Sequence, residues 1–346
     1  MSEPLTPTPE PVAVVPAGYE GHDDRSWMAR VLASGAGRNL GLIIALLVLF
    51  GIGWITAGGR FTDVDNIITI VRYASIVGVI SIGMTFVIIG GGIDLSVGSV
   101  MGLSSVVATL AAVQLFATQT SWIVMVLIAL AVGTVAELIN GVVIAYGNVV
   151  AFMATLAMLV AARGLAEILS VRRTLIISVQ GYLDFTRSNI AGIPILIWIF
   201  VLVAVLGWLL LNRTTFGRRT VAIGGNREAA RLAGLKVKRH TMYLYALADL
   251  TAGIAAVMMM GRTGVGTSTH GVLYELDVIA AVVVGGTLLV GGRGSIVGTV
   301  LGVLIFATLV NIFTMNNLDT STQNVTKGAI IVVAVLLQQR FAARRR

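Results

Sequence analysis

The stretch N-R-T-T-F-G-R-R-T-V-A-I-G-G-N-R-E-A-A-R-L-A-G-L-K-V-K-R-H, residues 212–240, is the one long basic loop between hydrophobic blocks. It carries eight Lys or Arg (Arg213, Arg218, Arg219, Arg227, Arg231, Lys236, Lys238 and Arg239) against a single Glu228. Basic residues are disfavoured in translocated loops, so this loop is expected on the cytoplasmic side of a membrane. Within it, 226–234 has the grammar of a short helix. Asn226 can cap the start, Glu228 suits the positive end, Ala229 and Ala230 propagate the helix, and Gly234 can end it. An ordered cytoplasmic helix in an otherwise bare membrane protein implies a docking element for a soluble partner.

The rest of the chain agrees with that setting. Of 346 residues, 57% are hydrophobic and only 12% charged, with 40 glycines, and the mean hydropathy is +0.94. A soluble protein of this length needs far more charge to cover its surface. Apolar runs of about 20 residues, the length that crosses a bilayer, follow one another from Gly41 to Gln338. The expected class is an all-α polytopic membrane protein. The formal charge of +8 then reports topology rather than nucleic-acid binding. With no cysteine, disulfides, thiolate metal sites and a cysteine nucleophile are excluded.

Residues 1–38 read as a disordered cytoplasmic tail, because five of the six prolines fall before residue 17 among Thr, Glu and Ser. Arg25, Arg30 and Arg38 at one end, and the basic tail 340–346 with Arg340, Arg344, Arg345 and Arg346 at the other, favour cytoplasmic termini on both sides of a 39–339 membrane domain. That parity is met by ten crossings, expected near 39–58, 66–89, 95–116, 121–147, 151–171, 193–211, 241–261, 275–291, 295–316 and 322–339. The loop 172–192 then lies outside, although it holds Arg172, Arg173 and Arg187. Segments 83–98 and 285–298 are rich enough in glycine to be broken or re-entrant helices, which are tolerated only inside protein or against a water-filled cavity.

Those two segments resemble each other at a fixed offset. Gly91-Gly92, Val97-Gly98, Val100 and Gly102 recur as Gly291-Gly292, Val297-Gly298, Val300 and Gly302. Gly98/Gly102 and Gly298/Gly302 are small-residue pairs that let helix backbones approach. The pattern fits either two tightly packed helices or two halves of a duplicated pathway. Asp94 follows the first glycine run and can cap a helix starting near Leu95, or line a polar path together with Ser96. Glu137 and Asn140, about a turn apart, can share a face of the fourth span, in structural hydrogen bonding or on that path. Arg163 and Glu167 are spaced to pair, Glu275 and Asp277 mark the outer mouth of the eighth span, and Asp249 has no evident partner.

Enzymatic chemistry finds no support in these residues. A phosphate-binding loop needs Gly-Lys followed by Ser or Thr, whereas Lys236, Lys238 and Lys327 are followed by Val, Arg and Gly. His22, His240 and His270 form no metal-ligand pair, and no Gly-x-Ser-x-Gly elbow occurs. No metal and no cofactor is expected on this chain.

Three segments carry a family resemblance: G-M-T-F-V-I-I-G-G-G-I-D-L-S-V-G-S (83–99), A-I-G-G-N-R-E-A-A-R-L-A-G-L-K-V-K-R (222–239) and Y-E-L-D-V-I-A-A-V-V-V-G-G-T-L-L-V-G-G-R-G-S-I-V-G-T (274–299). In that order, and over about 40–339, the chain resembles the ribose-type permeases, the membrane subunits of ATP-binding-cassette (ABC) importers for monosaccharides. The resemblance implies a type II importer bundle in a bacterial plasma (inner) membrane. It also implies a second permease subunit, cytoplasmic ATPases that use ATP–Mg, and an external sugar-binding protein. It assigns the ATPase-coupling helix to Gly225, Asn226, Arg227, Glu228, Ala229, Ala230, Arg231 and Gly234. The chain departs from the family where relatives often carry a proline before the fifth span; here Val150-Ala151-Phe152 stand. An outer Gly-Gln-Pro-like turn is replaced around Arg172-Arg173, so a binding protein meeting that turn is expected to present acidic residues. A branched-chain amino acid permease and an ion-coupled transporter using Asp94, Glu137 and Asp249 are the alternatives.

Overall fold

In the computed structural model, the described residues are 35–343; the proline-rich tail before them, with Arg25 and Arg30, and Arg344–Arg346 after them lie outside. The fold is almost wholly helical: α1 (Gly35–Ala57), α2 (Val64–Ile89), α3 (Val97–Ala108), α4 (Ala111–Gln119), α5 (Ile123–Ala145), α6 (Ala151–Ser170), α7 (Gln180–Arg187), α8 (Ile195–Arg213), α9 (Thr215–Gly225), α10 (Arg227–Leu232), α11 (Val237–Thr263), α12 (Tyr274–Val284), α13 (Ile296–Met315) and α14 (Thr320–Ala343). Four two-residue strands make two small antiparallel pairs. β1 (Leu175–Ile176) joins β4 (Val265–Gly266), and β2 (Asn189–Ile190) joins β3 (Ile193–Pro194).

Burial sorts these helices into centre and rim. In the most apolar stretch of α11, 78% of residues are buried, and in α2 67%, against 6% in α1. α11 packs on α5, α2 and α3, while α13 packs on α2, α1 and α12. Exposed Leu47, Val48, Ile55 and Val160 on the rim helices give the bundle the apolar coat that a bilayer requires.

The contact between α5 and α11 is a glycine seam. A Cβ on Gly133 of α5 would sit 2.6 Å from the Asp249 carbonyl oxygen of α11, and one on Gly253 of α11 would sit 3.0 Å from the Ala129 carbonyl of α5. Small residues bring helix backbones together in the absence of a hydrophobic drive between helices. In this way the seam sets Asp249 facing α5.

Ten expected crossings stand as an approximate count. Among the described residues seven unbroken helices are long and apolar enough to span, and one bent pair, α3 and α4, raises the number to eight at most. The third expected span bends by 57° at Thr109–Leu110. The eighth, expected over 275–291, is the 11-residue α12. At about 1.5 Å per residue α12 covers only about half of a bilayer core. It stops where Gly285 and Gly286 meet it, and Gly286, Gly291 and Gly292 take φ of 87°, 87° and 73°, a region open mainly to glycine. The tenth expected span falls on α14, and part of its side chains lie outside the described residues.

Candidate functional site

The loop 212–240 folds into three helices end to end. Thr214 accepts hydrogen bonds from the Phe216 and Gly217 amides and starts α9. Asn226 accepts from the Ala229 amide at 2.9 Å and starts α10. Glu228 and Arg231, one turn apart and both exposed, pair at 2.6 Å, and the guanidinium holds the Glu228 carboxyl below its usual range. α10 ends in a Schellman motif: the Gly234 amide donates to Arg231 O and the Leu235 amide to Ala230 O, with Gly234 at φ 81°. Ala230 is buried against Ile223, Val237 and Leu235, which fixes α10 to α9 and α11. Leu232 is 76% exposed. A bulky apolar side chain pointing out beside Arg227 and Arg231 is a contact that the spacing of charges alone did not disclose.

Gly224 and Gly225, at the end of α9, sit in a junction with both glycine-rich turns. The Gly292 amide donates to the Ile89 carbonyl at 2.8 Å. A Cβ on Gly224 would overlap Ile89 O and lie 2.7 Å from Gly292 N, and one on Gly291 would lie 3.0 Å from Gly91 Cα. The two segments that match at fixed offset thus touch each other and the coupling loop. A cavity of about 580 Å³ opens beside this junction, lined by the Gly90–Gly92 turn, Arg227, Glu228, Arg231 and Tyr245. Tyr245, in α11, donates to the Ile93 carbonyl at 3.4 Å.

Above that turn lies a buried polar cluster. Asp94, Ser96, Glu137 and Asn140 are all buried and converge from the α2–α3 turn and α5. Asp94 Oδ1 accepts from the Ser96 amide at 2.8 Å and lies 2.6 Å from Ser96 Oγ. The helix starts at Val97 rather than near Leu95, so Asp94 closes the turn before α3 instead of capping it. Ser96 Oγ also lies 2.6 Å from Glu137 Oε1, and Asn140 Nδ2 donates to both Glu137 Oε1 and Ser96 Oγ. Asp249 of α11 completes the group: one carboxylate oxygen from each of Asp94, Glu137 and Asp249 lies within 4.8 Å of the others.

The small-residue pairs each face backbone. A Cβ on Gly98 would overlap the Gly271 carbonyl, and one on Gly102 would lie 2.9 Å from Arg163 Nη1 and from His270 O. On the other side, Gly298 faces the Gly285 carbonyl and Gly302 the Ala281 carbonyl, both of which a Cβ would overlap. One other expectation is corrected. Arg163 donates to the Ser268 and His270 carbonyls and leaves Glu167 to Arg172 at 3.1 Å. Asp277 binds Lys327 of α14 at 2.9 Å, largely buried, while Glu275 lies against α3 at Gly98.

The family described as "Branched-chain amino acid transport system / permease component" matches residues 66–335. The chain belongs to that family. It is a transport permease and not an enzyme. The ribose import permease protein of Bacillus subtilis is 39% identical over 91% of this chain and 97% of its own length. That of Escherichia coli K12 is 36% identical over 86% and 92%. The L-arabinose ABC transporter permease protein of Azospirillum brasilense is 35% identical over 88% and 89%. No solved structure matches.

Proposed function

We propose that this permease is the membrane subunit of an ABC importer that carries a monosaccharide or related polyol. An external solute-binding protein delivers the sugar, and a separate cytoplasmic ATPase supplies the energy from ATP–Mg. The observation that carries the sugar reading is near full-length similarity to permeases named for ribose, L-arabinose and xylose. Two permease subunits pair in the bacterial plasma membrane, with both termini and α10 in the cytoplasm, where the basic residues of the loop belong.

In this reading α10 is the coupling helix. Its caps at both ends and the buried Ala230 make it a rigid unit, while exposed Leu232, Glu228 and Arg231 supply an apolar contact and two charges for the ATPase surface. Closure of the ATPase dimer moves α10 and, through Gly224 and Gly225, the backbone at Ile89 and Gly292. Those two turns border the path, so the movement shifts the bundle between its two openings. Asp94, Ser96, Glu137 and Asn140 then present polar atoms next to the moving turn.

The test is purification of the tagged chain in mild detergent with identification of what accompanies it, and uptake of radiolabelled ribose, xylose and arabinose by cells that depend on it. Recovery of a Walker-motif ATPase, lost on Glu228→Arg with Arg231→Glu, and ATP-dependent uptake of one sugar support the proposal. Uptake that follows the proton gradient, with no ATPase recovered, overturns it.

A further inference from the structure

Asp249 sits in the middle of α11, fully buried, and apart from the neighbouring Glu137 carboxyl neither of its carboxylate oxygens has a hydrogen-bond partner. Asp94 Oδ2 and Glu137 Oε2 are also buried without a donor. The nearby donors face the other oxygens: the single hydroxyl proton of Ser96 goes to either Asp94 Oδ1 or Glu137 Oε1, and Asn140 donates to Glu137 Oε1. Among the described residues no Lys or Arg pairs with any of the three carboxylates. Three carboxylates buried together without a counter-charge are strongly unfavourable, and proteins relieve that by pairing, protonation or metal coordination. Three buried carboxylates that each keep an oxygen without a donor, with one oxygen of each within 4.8 Å of the others, call for a cation there.

We propose that Asp94, Glu137 and Asp249 form an intramembrane site for one hard divalent cation of calcium size. The free ligand atoms are all carboxylate oxygens, the donor set of hard cations rather than of zinc or copper. With one oxygen of each carboxylate within 4.8 Å of the others, the three can close on an ion with metal–oxygen distances of about 2.3–2.6 Å, and magnesium, which dehydrates reluctantly and keeps its waters, suits so buried a site less well. Two positive charges offset two of the three carboxylates, and the Ser96 and Asn140 donors lessen the cost of the third. The ion ties α5, α11 and the α2–α3 turn at one point, next to the glycine junction. The ligands are distant in sequence and come from three elements, so residue spacing does not reveal them. The proposal stands whichever solute is carried, and its failure leaves the permease reading intact.

The full chain in phosphatidylcholine nanodiscs, stripped with EDTA and free of nucleotide, is titrated with 45Ca2+ and followed by thermal unfolding. The expected result is one ion per chain and a rise in Tm of at least about 3 °C at saturating Ca2+, with a smaller rise for Mg2+. Asp249→Asn and, independently, Glu137→Gln abolish both responses, while the exposed control Asp184→Asn keeps them. Should one cluster variant fail to fold, the other and the wild-type EDTA comparison still decide. Wild type that binds no Ca2+ and shows no shift overturns the proposal, as does binding retained in a folded Asp249→Asn. Metal-free wild type that gains stability on acidification, with no response to Ca2+, assigns the site to protons and also overturns it.

Discussion

The turns at Gly90–Ser96 and Gly285–Ser295 begin from nearly the same sequence and end in different environments. Both place glycine at positive φ, 80° at Gly91 and 87° at Gly291. Each leads into a helix whose Gly-x-x-x-Gly face lies on backbone. The first follows the 26-residue α2 and turns Asp94 and Ser96 into a buried polar cluster. The second follows the half-length α12 and leaves Val290 82% exposed and Arg293 exposed. The shared glycines therefore specify close backbone packing, and the polar residues found in only one turn specify the cluster. Packing and chemistry are separable in these segments, and substitutions can pull them apart.

The largest effect is expected where the two turns meet. Gly224→Ala puts a methyl group into Ile89 O and against Gly292 N, both backbone atoms that cannot rotate away. Neighbouring Gly225 has nothing within 4 Å of a Cβ. Overpacking costs about 1–3 kcal/mol, and here the strain falls on the link between coupling loop and path. Gly224→Ala should lower uptake at least about tenfold while Gly225→Ala changes it by less than about twofold, at equal membrane levels of the protein. Equal transport by the two variants would show that the junction carries no motion.

Next come the helix faces. Gly302→Ala drives a methyl into the Ala281 carbonyl of α12, Gly298→Ala into the carbonyl of Gly285 that ends α12, and Gly98→Ala meets the Gly271 carbonyl. For Gly102 the nearest atoms are 2.9 Å away, and one is the end of the flexible Arg163 side chain. Thermal unfolding in detergent should rank Gly298, Gly302 and Gly98 together, each costing about 1–3 kcal/mol, with Gly102→Ala milder. A Gly102→Ala loss equal to the others would mean that the loop at 268–271 is as rigid as α12.

These glycines also mark what the sequence made legible. The helical class, the positions of most helices and both caps of α10 followed from local rules: apolar runs, an Asn at one end and a Gly at the other. The repeat of Gly91-Gly92 at Gly291-Gly292 was visible, but not that the copies touch, because contact between segments 200 residues apart is a tertiary fact. The eighth span joins Val282–Val284 and Leu288–Val290 as apolar runs, and the Gly285-Gly286 pair divides them inside the glycine-rich segment expected to be broken. Asp94 with Ser96 and Glu137 with Asn140 were readable as local pairs. Asp249 was not, because it joins them only through the Gly133–Gly253 seam.

A smaller effect separates the two helix starts. Ser295 accepts a single hydrogen bond from the Gly298 amide at 3.3 Å, so Ser295→Ala should cost about 1 kcal/mol, the usual loss of a cap. Ser96 Oγ gives its one proton to Asp94 or Glu137 and accepts from Asn140, and its removal leaves buried polar groups unpaired, worth about 1–3 kcal/mol. Ser96→Ala should therefore be the more damaging by thermal unfolding, and equal losses would show that the cluster finds its donors elsewhere.

The smallest effect at neutral pH, and one that grows on acidification, belongs to His270 behind the first helix. Its ring lies beside Ser105 and Thr263. Burial, and secondarily the Arg163 guanidinium, hold its pKa at about 4 against an ordinary 6.5. The folded protein thus keeps His270 neutral where the unfolded chain takes up a proton. Its contribution to stability is intact above pH 6.5, declines as the pH falls from 6.5 toward 4, and levels off below. His270→Gln should change Tm little at pH 7.5 and flatten the fall in Tm between pH 6.5 and 4. Nothing on α12 or the Gly285–Ser295 turn carries a histidine, so this slope is specific to the first of the two regions. An unchanged slope in the variant would mean that the acid sensitivity arises from other groups, His240 among them.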